Sequence, residues 1–163
     1  MEWIVAIVIA GLLWHFVIRH AVKAADDGPN PAPRPTTTAA PTFTWPELGQ
    51  YEFDVVGESY HQKTLAAMAG DHGVQSAAVY TTAHIVPDAN NQYDDKAMRI
   101  DIAGHTVGHL SREDARSFRR RLSSKKLGIT TTSCGALIVG GYLDKAGNKM
   151  SYGVRLDIKP FDA

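Results

Sequence analysis

Cysteine is nearly absent from this chain: Cys134 is the only one in 163 residues. A lone cysteine excludes an internal disulfide and a multi-cysteine zinc site, and it suits a reducing compartment. Net charge is absent too, because Lys plus Arg and Asp plus Glu both come to 17. No global field announces a polyanionic partner, so any basic surface has to be local. A Gly-x-x-x-x-Gly-Lys phosphate loop is missing, which excludes a nucleotide-driven motor. No cofactor, metal or catalytic residue is predicted.

What is present divides into three parts: 1–25, 26–47 and 48–163. Trp3 to Ile18 reads WIVAIVIAGLLWHFVI, with His15 its only strongly polar side chain. At about 1.5 Å per residue this run covers roughly 24 Å of a hydrocarbon core about 30 Å thick. Trp3 on one side and Arg19, His20 and Lys23 on the other can snorkel to close the gap. The run is therefore expected to be a transmembrane helix. A cleaved signal peptide is the alternative, but only Met1 and Glu2 precede the run, where a signal peptide needs a positive region. Basic residues only after the run put the rest of the chain in the cytoplasm.

Residues 26–47 are a spacer. Six of the eight prolines fall between Asp26 and Pro46, which blocks helix and sheet and favours an extended tether. The remainder alternates short strand patterns with turns. Strands are expected over Tyr51–Val56, Gln75–Val86, Ala97–Ile102, Thr106–Leu110, Ser133–Tyr142 and Met150–Ile158. Gln62–Ala69 forms a short helix. Ser111 caps a second, in which Ala115, Phe118 and Leu122 share a face and Gly128 marks the end. This pattern predicts a mainly β (α+β) fold: a small, partly open barrel with two helices over its openings.

Two features carry binding chemistry. The second helix holds Arg112, Arg116, Arg119, Arg120, Arg121, Lys125 and Lys126 against Glu113 and Asp114. That face is simply solvated, laid against anionic lipid beside the anchor, or set against nucleic-acid phosphate. The loop Asn90–Lys96 groups amide, phenol, carboxylate and ammonium, a set able to stack on a base and bond a hydroxyl. Tyr60 and His61 add an aromatic pair at another turn.

Three stretches taken together resemble the HIRAN domain. They are Phe53-Asp-Val-Val-Gly-Glu-Ser-Tyr-His-Gln62, Asn90-Asn-Gln-Tyr-Asp-Asp-Lys-Ala97 and Val107-Gly-His-Leu-Ser-Arg-Glu-Asp-Ala115. The likeness runs from about Phe53 to Asp157, and Gly140-Gly141 with Tyr152-Gly-Val-Arg-Leu-Asp157 looks like the close of its bacterial members. The resemblance implies an OB-like barrel of about six strands with two helices, here on a membrane anchor. It also implies binding of single-stranded DNA at a free 3′-hydroxyl end. Carried onto matching positions, Tyr60 stacks on a terminal base, Asn91 and Tyr93 meet backbone and sugar, and Asp94 accepts from the terminal hydroxyl. His109 and Lys96 meet phosphate, with Arg119 and Arg120 on the basic helix. Ser59, following Glu58, stands where eukaryotic members carry a basic residue, and Gln92 where proline is common. The alternative is a membrane-anchored protein-interaction module that keeps the barrel.

Overall fold

A computed structural model describes residues 39–161. The predicted membrane run at residues 3–18 and most of the spacer lie outside the described residues. Among those described, no helix is long and apolar enough to cross a membrane. The elements are β1 (Phe43–Thr44), β2 (Phe53–Asp54), a 3-10 turn (Glu58–His61), α1 (Gln62–Ala69), β3 (Ala77–Pro87), β4 (Met98–Ile102), β5 (His105–His109), α2 (Arg112–Ser124), β6 (Thr132–Gly140) and β7 (Tyr152–Leu156).

The described residues form a mainly β domain, a seven-stranded sheet in the order β2-β7-β6-β3-β4-β5 with β1 added parallel to β6. The other pairings are antiparallel. Alternation in β4 turns Met98, Ile100 and Ile102 inward, and Ile85 of β3 lies between Ile100 and Thr132 of its neighbours. The sheet curls until its two ends meet. Val55 donates to Val154 O of β7, whereas Val56 exchanges both backbone hydrogen bonds with His109 of β5, at 2.9 and 2.8 Å. The predicted strand Tyr51–Val56 is therefore a short paired piece followed by a crossing from one edge to the other. Gly108 permits that seam. A Cβ there would lie 2.5 Å from Val55 Cγ1 and 2.7 Å from Val56 O. This explains the glycine of the Val-Gly-His motif as a close-approach position.

α2 covers the core with Ala115, Phe118 and Leu122, as its spacing predicts. The Ser111 side chain accepts from Asp114 N at 3.1 Å, closing the first turn. The helix stops at Ser124, and Lys126 takes the left-handed conformation before Gly128 does.

The spacer ends earlier than its composition suggests. Phe43–Thr44 pairs with Thr132 and Ser133, and Trp45 is buried against Phe118, its indole N–H donating to Thr132 Oγ1 at 3.0 Å. Asp157, itself buried, then accepts from four consecutive backbone N–H groups, Leu48 to Tyr51, at 2.7–3.4 Å. Burial alone would raise this carboxyl's pKa, but the backbone donors reverse the sign and hold it below its ordinary 3.8.

Candidate nucleic-acid interface

The seam carries a cleft of about 390 Å³. One lip is the crossing and its 3-10 turn, with Val56, Gly57, Tyr60 and His61. The opposite lip is the loop after β3 (Asn91, Tyr93, Asp94, Ala97) together with His109, Leu110 and Arg112 from the β5–α2 junction. Three stretches far apart in sequence thus meet at one place because β5 closes onto Val56. Tyr60 and Tyr93 are 89% and 82% exposed, which leaves both rings available as stacking surfaces.

The turn bearing Tyr60 is held from behind. Gln62 donates from Nε2 to Glu58 O and to Tyr152 O, both at 2.9 Å, and its Oε1 accepts from Tyr152 N at 2.8 Å. Glu58 directs Oε1 toward Val154 N–H at 3.4 Å, so its charge lies against β7 and it does not line the cleft. A cation does reach the cleft, since Arg112 lines the opposite lip. Arginine in the first turn of a helix opposes the macrodipole, and that misfit was the available sequence signal.

The loop is organised by Asn91. Its Oδ1 accepts from the N–H groups of Tyr93 and Asp94 at 3.0 and 3.2 Å, and its Nδ2 donates to Asp88 Oδ2 at 3.1 Å. His109 Nε2 reaches the same Asp88 oxygen at 3.3 Å, tying loop to β5. Asn91 thus shapes the loop as well as lining the cleft. Asp94 accepts from Lys96 N at 2.9 Å and from Arg116 Nη1 at 3.1 Å, with Arg112 Nε 3.6 Å away. The Lys96 N–H foremost, then the two guanidiniums, hold its carboxyl below the ordinary range against an opposing desolvation. It is a charged acceptor at neutral pH, suited to a hydroxyl and repellent to a phosphate in the same place. His61 is pushed below its ordinary 6.5 by burial and by nearby His109, so it is neutral there.

Of the eight predicted site residues, Tyr60, Asn91, Tyr93, Asp94 and His109 share this cleft. Lys96, Arg119 and Arg120 do not. They line a neighbouring concavity of about 380 Å³ with Arg116 and Ser123. His105 and His109 are four apart, but on a strand rather than a helix. Among the described residues no group of three or more His, Cys, Asp or Glu is placed to hold a metal ion. Cys134 is buried in β6, and burial foremost, with Asp157 adding to it, pushes its thiol up to about 12.

A small curled sheet whose edges meet beside an aromatic-lipped cleft defines the class: a mainly β half-barrel with two helices, consistent with an OB-like fold. Within it, this chain belongs to the HIRAN domain family, whose model matches residues 48–136. No curated protein and no solved structure gave a match.

Proposed function

We propose that the cleft binds single-stranded DNA and receives its 3′ end. HIRAN domains in general bind nucleic acid, and the single observation that supports end binding here is the pairing of exposed Tyr60 and Tyr93 with ionised Asp94. The rings stack on a terminal base, Asp94 accepts from the 3′-hydroxyl, and Arg112 and His109 face the last phosphate. The apolar run at residues 3–18 and its basic flank support a single-pass anchor that leaves the domain in the cytoplasm, and Gly140-Gly141 with Tyr152–Asp157 supports a bacterial-type member.

The test is fluorescence anisotropy of the full chain in nonionic detergent, with oligonucleotides ending in a 3′-hydroxyl or a 3′-phosphate. A hydrogen bond to a charged acceptor is worth about 1.5–3 kcal/mol, so the hydroxyl end should bind at least about tenfold tighter. Tyr93→Ala should weaken binding by about 1–3 kcal/mol, the worth of one stacked base. Equal binding of both ends, fading together with salt, refutes end recognition. No binding to either at low salt leaves the protein-interaction alternative.

A further inference from the structure

Resting on that reading of the cleft, we propose that the concavity beside it is a second subsite, which holds internal phosphates of the same strand. Lys96, Arg116, Arg119, Arg120 and Ser123 line it, four cations and a hydroxyl with no carboxylate among them. Arg116 is answered by Asp94. Among the described residues, no ion pair engages Lys96, Arg119 or Arg120. On a chain of zero net charge, three like charges gathered without counter-charge are held against their own repulsion. An anion entering the concavity relieves it.

The arrangement favours a strand over a free phosphate because cleft and concavity lie in line along α2. Arg112, Arg116, Arg119 and Ser123 follow one another at helical spacing, so they form a single stripe along α2. The loop from Asp94 to Ala97 is the wall between cleft and concavity, and Arg119 Nε clamps it by donating to Lys96 O at 2.8 Å. From Arg112 at the cleft to Arg119 is seven residues, about 10 Å along the axis at 1.5 Å per residue. A stacked strand advances about 3.4 Å per nucleotide, so this path matches roughly three phosphate steps beyond the bound end. The strand runs from its 3′ end in the cleft toward the C-terminus of α2, over about four nucleotides.

The experiment compares dT2 and dT6, each with one 3′-hydroxyl end, on the full chain in nonionic detergent. Having one end each, the two probes differ only in the nucleotides that lie beyond it, and the salt slope separates their phosphates from their bases. The parent should bind dT6 at least about tenfold tighter, with a steeper salt dependence. Lys96→Gln with Arg120→Gln removes two charges whose side chains do not brace the loop. That variant should lose most of the dT6 advantage, and its log–log salt slope should fall by about 1.4, or 0.7 per lost phosphate contact on a single strand. Tyr93→Ala should weaken both lengths by a similar factor and keep their ratio. Inorganic phosphate at the same phosphate concentration should not displace dT6; displacement would make this a free-phosphate site and overturn the inference. A parent that prefers the hydroxyl end but gains nothing with length also overturns it, leaving the cleft's function intact. A length gain retained in the double variant overturns it equally. A basin-dependent length gain without end preference refutes only end recognition.

Discussion

Gly108→Ala is the sharpest perturbation of this fold, because one methyl group strikes the seam that closes the sheet. Its Cβ would meet Val56 O at 2.7 Å and Val55 Cγ1 at 2.5 Å, against about 3.4 Å for an ordinary contact. Val55 is buried and Val56 O is backbone, so neither can swing aside. The strands must part by about 0.7 Å, which carries the two Val56–His109 hydrogen bonds to about 3.5–3.6 Å, beyond useful length. Two lost backbone bonds at about 1 kcal/mol each, plus about 1–3 kcal/mol for overpacking, give about 3–5 kcal/mol. That is a large part of the roughly 5–15 kcal/mol that stabilises a typical domain. Urea unfolding of the full chain, followed by circular dichroism, would show the loss as a lower midpoint. Native-state hydrogen exchange would show the His109 amide exchanging faster than the centre of β3. Since Tyr60 and His109 stand on opposite sides of this seam, oligonucleotide affinity should fall as well. A variant within 1 kcal/mol of the parent, with the His109 amide still protected, would refute the account of why this glycine is there.

Three further predictions follow from other contacts. Asp157→Asn keeps the shape but points an NH2 at two of the four backbone donors, costing about 3 kcal/mol at neutral pH. Because the folded pKa lies below 3.8, Asp157 stabilises fully above that value and loses its effect as pH falls through the folded pKa. Melting curves should therefore show the gap between parent and variant narrowing only below about pH 4. Gln62→Ala removes both side-chain bonds to Tyr152 and should cost about 2 kcal/mol in urea unfolding, with looser presentation of Tyr60. Cys134, buried with its thiol pushed up to about 12, should resist iodoacetamide at pH 8 in the native protein and react once urea unfolds it.

Local rules made much of this molecule legible. Ser111 and the spacing of Ala115, Phe118 and Leu122 defined α2, and alternation defined β4. The residues that the family resemblance implies, Tyr60, Asn91, Tyr93, Asp94 and His109, do share one cleft. What stayed hidden depends on partners far along the chain. Phe43 and Thr44 sit among prolines and threonines, and only pairing with Thr132 and Ser133 makes them a strand. Glu58 reads as an unwelcome negative charge beside a pocket until Val154 shows which way it faces. The basic helix looked like one patch, yet Arg112 lines the cleft, Arg116, Arg119 and Arg120 line the concavity beyond the Asp94–Ala97 wall, and Arg121 turns to Lys159 and Pro160. Composition reports how many charges a helix carries; the packed loop decides what each one faces.

Gln62 also bears on how this protein avoids its own kind. A strand on the rim of a sheet invites a second chain to add to it, the first step toward aggregation. β7 is followed along that rim by a relay of substitutes: a glutamine amide at Tyr152, a carboxylate and Val55 at Val154, and Phe53 at Leu156. Beyond the end of β2, the Gln62 amide and the Glu58 carboxylate present to Tyr152 and Val154 what a longer neighbouring strand would have presented, donor against acceptor. A short helical turn therefore does two jobs from its two sides, offering Tyr60 outward and sealing the rim inward. Changes that release the turn should show themselves first as clumping at high concentration, before any loss of secondary structure.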